Sequence, residues 1–193
     1  MRKGRYLMIT VYFLVLDSII DVSLLQPPIE KAGASIILVP LETIANQKFY
    51  LSSHDVLVIL LHDDNQASTQ LDREMLLNNI QNAASHFSLK GTLVLNLSNI
   101  GGGPGLATLF LEQGALYYTW PVDKYDYPGF LQYAFEFFSF YFMAHQNVQQ
   151  AHQQANKGKI RFFLDSSSID AHSRFGQFHP ATSEEQKSRK KNS

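Results

Sequence analysis

The residues of this chain that can do chemistry sit at the ends of two apolar runs. His54–Leu61 (HDVLVILL) leads into His62, followed by Asp63 and Asp64. Leu93–Gly103 (LVLNLSNIGGG) carries Ser98 on its exit, just before a glycine-rich loop. A histidine can accept a proton, and a hydroxyl so relieved can attack a carbonyl. Two strands delivering one of each lay out a His/Ser dyad, the oxygen counterpart of a His/Cys pair. The chain contains no cysteine, which removes thiolate catalysis, disulfides and Cys-based zinc sites together. Its seven histidines are scattered, with no HExxH or HxH spacing, so neither a metal site nor a cofactor is expected.

Positioning such a pair requires strands, and the pattern supplies them in alternation with helices. Tyr6–Leu16, Ser35–Val39, Asp55–Leu61, Thr92–Leu97, Ala115–Trp120 and Ile160–Leu164 read as strands. Between them, Ser18–Ala32 reads as a helix that Pro27 and Pro28 must break or restart. Leu41–Leu51, Thr69–Phe87, Gly105–Gln113, Pro128–Ala144 and Val148–Lys157 also read as helices, with Gly114 as the stop after the third of these. Near-continuous apolar strands alternating with helices predict an α/β fold with a mostly parallel sheet covered on both faces. Ligands of such sheets sit beyond the carboxyl ends of the strands. His62, Ser98 and the stretch Trp120–Asp123 all occupy such ends.

With 193 residues, 45% of them apolar, one domain with a sizeable core is expected over residues 1–165. From Ser166 to Ser193 the chain turns polar and charged, which predicts a disordered tail. A formal charge of −1 gives no electrostatic case for nucleic acid. The basic start followed by Tyr6–Leu16 has the outline of an export signal, yet it lacks a small-x-small cleavage site and Asp17 follows at once. Eleven apolar residues are too few for a membrane-spanning helix. A first core strand and a cytoplasmic location are therefore expected.

The segment from Leu93 to Asn156 resembles the CHAT family, caspase-like domains of the clan that includes caspases, gingipains and separase. That family shows a strand LVLSAC followed by x-T-G-x-G, a helix ending A-F-L-x-A-G-A, a strand ending W-P-V-D and a long helix with F-Y and a later A-L-x-x-A. Here LVLNLSNIGGG, LFLEQGA, TWPVD, FYFM and AHQQAN stand in the same order. Upstream, LETIANQKFYLSSHDVLVILLHDD resembles the family's segment leading to its catalytic histidine. The likeness covers roughly Pro28 to Leu164. It implies a caspase-like three-layer α/β/α sandwich with a central sheet of about six strands, those ending at His62 and Ser98 lying side by side. It places His62 on the catalytic histidine, Ser98 on the catalytic cysteine, Gly101 and Gly103 on the loop glycines, and Asp123 with Trp120 at the substrate pocket. It also shows departures: Ser98 for cysteine, Ile100 for threonine and Asp63 for the glycine after the histidine.

Those departures weaken the chemistry. A thiol ionises near pH 8.5, and a neighbouring imidazolium lowers that further. A serine hydroxyl needs a coupled base, an orienting acid and a sound oxyanion hole. A negative Asp63 where oxyanion charge would develop opposes transition-state stabilisation. The reading is therefore a catalytically impaired pseudo-peptidase that binds or scaffolds a protein or peptide. A Ser98/His62-dependent peptidase or esterase is the alternative. Plainer roles stand beside these: a loop hydrogen bond for His62, a turn or cap for Ser98, a phosphate cradle for the glycine loop, a turn for Asp123 and core packing for Trp120. Finally, Phe130–Met143 contains eight aromatic residues and only a narrow polar stripe, Gln132, Glu136 and Ser139. Such a helix either buries its rings within the monomer or offers a homodimer surface.

Overall fold

The structure is a computed structural model that describes residues 9–16, 21–45, 47–61, 70–100 and 104–167. Eight strands are present among the described residues: β1 (Thr10–Val15), β2 (Ser35–Pro40), β3 (Phe49–Leu51), β4 (Val56–Leu60), β5 (Phe87–Leu89), β6 (Leu93–Leu97), β7 (Tyr117–Pro121) and β8 (Phe162–Ser166). Six of them form the central sheet, in the order β2-β1-β4-β6-β7-β8. Every pairing is parallel except that of β7 with β8. The helices are α1 (Gln26–Lys31), α2 (Leu41–Ile44), α3 (Gln70–Ala84), α4 (Pro104–Glu112), α5 (Tyr127–Phe138) and α6 (Val148–Ala155). They flank the sheet as a three-layer α/β sandwich.

Strand alternation divides the core in two. Val56, Val58, Leu60, Leu93, Leu95 and Leu97 face one layer, in which α5 and α6 pack. Leu57, Ile59, Val94 and Tyr118 face the other, packed by Ile80 of α3 and by Phe110 of α4. All five positions of β4 and of β6 are buried, which is why both read as uninterrupted apolar runs. Asp55 fastens the lower edge of the sheet. One carboxylate oxygen accepts the Thr10 N–H at 2.9 Å and the other accepts the Ser52 N–H at 2.8 Å.

One expectation agrees: a helix restarts at Pro27 and Pro28, which sit in the first turn of α1, where the helical positions have no N–H partner to lose. Several others need correction. Leu41–Leu51 is helical only as far as Ile44, and Phe49–Leu51 is strand β3. The helix expected over Thr69–Phe87 stops at Ala84, and Phe87 opens β5. β3 and β5 pair with each other as a small parallel sheet, with Phe49 and Phe87 stacked at 5.1 Å. β2 is an edge strand rather than a buried one, with Ile37 and Leu38 40% and 49% exposed. The long aromatic helix is α-helical to Phe138, then forms a π-helical turn over Ser139–Met143. Its Phe130, Tyr133, Phe137, Phe138 and Phe142 are buried in the monomer, leaving Phe135 and Met143 as its exposed large apolar residues. α6 and β8 cover most of the aromatic face, so any homodimer surface on this helix is confined to the side that carries Phe135 and Met143. The polar tail expected from Ser166 enters β8 with its first residue, and residues 168–193 lie outside the described set.

β8 is tied to α6 by a buried polar chain. Asn156 donates from Nδ2 to the Phe162 carbonyl at 2.7 Å and accepts the Phe162 N–H at 2.8 Å. This fixes the amide orientation, so the same Nδ2 also donates to His152 Nε2, 2.9 Å away. The His152 proton must then sit on Nδ1, which faces the Tyr133 hydroxyl at 2.8 Å. Burial pushes the His152 pKa down from 6.5 to about 4.

Candidate functional site

The fold brings the two expected chemical strands together. β4 and β6 are parallel neighbours with Leu60 opposite Leu97, so Leu61 lies level with Ser98. His62, Asp63, Gly101 and Gly103 fall outside the described residues. The order β2-β1-β4 also puts the topological switch point of the sheet between β1 and β4, where the connections leave in opposite directions. The segments that follow those two ends, 17–20 and 62–69, are likewise outside the described residues.

Ser98 does not open onto a cleft. Its side chain is completely buried. The hydroxyl lies 2.7 Å from Asn96 Oδ1 and 3.1 Å from the Ile100 carbonyl, and donates into that pair of acceptors. Asn96 Nδ2 donates to the same Ile100 carbonyl at 3.2 Å. Asn96 interrupts an otherwise apolar strand, on the face shared with Val94. Together Asn96 and Ser98 bend the chain back on itself as it leaves the sheet, and this holds the entry to the glycine loop. Tyr118 is fully buried on the same face, and its hydroxyl has no hydrogen-bond partner among the described residues. Burial pushes its ionisation upward, and the neighbouring Asn96 side chain offsets part of the rise without reaching hydrogen-bonding geometry.

The next residue does different work. Asn99 Nδ2 donates to the Tyr125 carbonyl at 2.7 Å, and Asn99 Oδ1 accepts the Tyr125 N–H at 3.1 Å. An amide side chain here imitates a strand neighbour and locks the exit of β6 to the exit of β7. The Tyr125 hydroxyl in turn accepts the Arg161 N–H at 3.1 Å, just ahead of β8. Asp123 is exposed on this same rim. Trp120 is half-buried on β7, between Tyr118 and Phe163, with ring centroids 5.9 and 5.4 Å away. The rim therefore joins Asn99 to Tyr125 from two sequence-distant loops, with Asp123 exposed two residues before Tyr125, while the Ser98 hydroxyl is buried. Asn96 is the residue that could have announced this arrangement. A polar side chain in the middle of LVLNL has to find a buried partner.

Among the described residues no group of three or more His, Asp or Glu side chains could hold a metal ion. An apolar groove of about 360 Å³ lies away from Ser98, lined by Pro27, Pro28, Lys31, Phe135 and Met143. Comparison of the chain with protein-family models gives no match, and comparison with curated proteins gives none either. The class that fold and site define is thus an α/β three-layer domain with a buried polar turn below its carboxyl-end rim. Among the described residues no helix is long and apolar enough to cross a membrane.

Proposed function

We propose that this chain is a pseudo-peptidase of the CHAT type, a caspase-like domain that binds a protein or peptide partner without cleaving it. The observation that carries the reading is the inward commitment of Ser98. A nucleophilic hydroxyl must face the substrate carbonyl and give its proton to a base. This hydroxyl is completely buried and points its proton at Asn96 Oδ1 and the Ile100 carbonyl. Turning it outward would leave the Asn96 acceptor buried without its donor, at a cost of about 1–3 kcal/mol. The family likeness supports the ancestry, and the adjacency of β4 and β6 agrees with what that likeness implies. Asp63, at the position of the family's glycine, adds negative charge where an oxyanion would need donors. The rim formed by Asn99, Tyr125 and Asp123 is the surface assigned to the partner, held rigid by the Asn99–Tyr125 pair.

A fluorophosphonate probe tests this directly on the full chain. The expected result is no labelling above that of Ser98→Ala. Stoichiometric labelling that disappears in Ser98→Ala would establish the Ser98/His62 hydrolase instead.

A further inference from the structure

Among the described residues the outer edge of β2 is unpaired. Ser35 donates its N–H to the Ile9 carbonyl at 2.9 Å, so Ser35, Ile37 and Val39 turn their backbone groups toward β1. Ala34, Ile36, Leu38 and Pro40 turn theirs outward. Two of these four have no N–H to offer a neighbouring strand. The Ala34 N–H is given to the Ile29 carbonyl at 3.2 Å. Pro40 has no N–H, and its carbonyl accepts the Thr43 hydroxyl at 2.8 Å. What remains open among the described residues is the Ala34 carbonyl and both the N–H and the C=O of Ile36 and of Leu38, the last two residues placed symmetrically about Ile37.

The geometry points to a second copy of this chain as the occupant, paired antiparallel across a two-fold axis at Ile37. In that register Ile36 faces Leu38 of the other copy, and each such pair exchanges both its hydrogen bonds. Ile37 then meets its own equivalent at the close, non-hydrogen-bonded position. The N–H and C=O groups of Ile36 and Leu38 are all satisfied, and only the Ala34 carbonyl, which falls opposite a proline, is left to solvent. The side chains agree. β2 reads SIILVP and carries no charge, so self-pairing meets no repulsion, and lysines of the kind that guard free edges are missing. Ile37 and Leu38, on opposite faces of the strand, are 40% and 49% exposed. Pairing covers both. The result is one continuous sheet through two copies, with an isologous interface. It lies at the opposite edge of the sheet from β8, well removed from the rim assigned to the partner.

Analytical ultracentrifugation of the full chain over a concentration series is the first measurement, with a concentration-dependent dimer expected. Ile37→Lys puts two like charges face to face at the axis. Leu38→Pro deletes an outward donor while leaving the bonds to β1 untouched. Each should weaken the dimer at least about tenfold, with circular dichroism unchanged. Ile37→Lys alone suffices if Leu38→Pro misfolds, since residue 37 is already part-exposed. Amide hydrogen exchange gives an independent reading: Ile36 and Leu38 should gain protection with concentration, while Ile37 and Val39 are protected throughout. A monomer at every concentration overturns the proposal. So does a dimer indifferent to Ile37→Lys, or protection of Ile36 and Leu38 that does not depend on concentration.

Discussion

Lowering the pH should destabilise this fold through one side chain, His152. The imidazole is only 8% exposed and is neutral, with its proton on Nδ1 and its Nε2 lone pair taken by Asn156. A second proton has to enter at Nε2, where it would face the Asn156 amide hydrogens and displace the anchor of β8. Burial lowers the folded-state pKa from 6.5 to about 4. The unfolded chain therefore takes up a proton as pH falls below 6.5, and the folded chain does not until near 4. The stabilising difference is fully present above the unfolded value and is lost through that window. A shift of this size corresponds to about 3 kcal/mol in total, of which about 2 kcal/mol is lost between about pH 7 and about pH 5. Urea unfolding at those two pH values measures it, with His152→Gln as the non-titrating reference. The wild-type chain should lose about 2 kcal/mol more than the variant. The histidine ring signals in NMR should show one imidazole titrating near 4. Equal losses in the two proteins, or a His152 ring titrating at 6.5, would refute the reasoning.

Two further substitutions probe the turn and the sheet. Ser98→Ala should cost about 1–2 kcal/mol in urea unfolding, because it strips the donor from buried Asn96 Oδ1; a neutral effect would mean that the Tyr118 hydroxyl, close by and unpartnered among the described residues, takes over. Gly114→Ala should be far worse, at several kcal/mol or failure to fold. Gly114 has φ +100, closes α4 with its N–H on the Leu111 carbonyl while the Ala115 N–H reaches the Phe110 carbonyl, and leaves no room for a Cβ against the Leu89 carbonyl oxygen.

What the sequence disclosed, and what it hid, follows the range of the interactions. β4 and β6 were plain because burial on both faces forces every position to be apolar. Gly114 was plain because helix stops are local chemistry. β3 and β5 were hidden because each is a triplet whose reason for being a strand is the other, far along the chain. The direction of β8 was hidden too, since FFLDS reads alike in either sense. The β4–β6 neighbourhood came from motif order rather than from periodicity. Ser98 was legible as a residue of interest but not as a buried one. A serine at a strand exit looks the same whether it faces substrate or its own Asn96, and only the placement of the Ile100 carbonyl distinguishes the two. His152 is not legible in the sequence, because a histidine among glutamines and alanines carries no mark of burial.

The stacking of Phe162 has a consequence for how the molecule is made. That ring lies 3.8 Å from Tyr133 and also packs near Tyr125 and Phe130. A strand near the far end of the described chain thus supplies the last ring of a core layer begun at Val11. On a ribosome, where synthesis proceeds at about 5–20 residues per second, β1, β4 and β6 emerge early, but the layer under α5 stays open until β8 has left the exit tunnel. For that interval the Phe130 and Tyr133 rings of α5 lack the Phe162 ring that covers them. A chain that ends just before Phe162 should therefore leave the Tyr133 ring uncovered and associate more readily than the full chain.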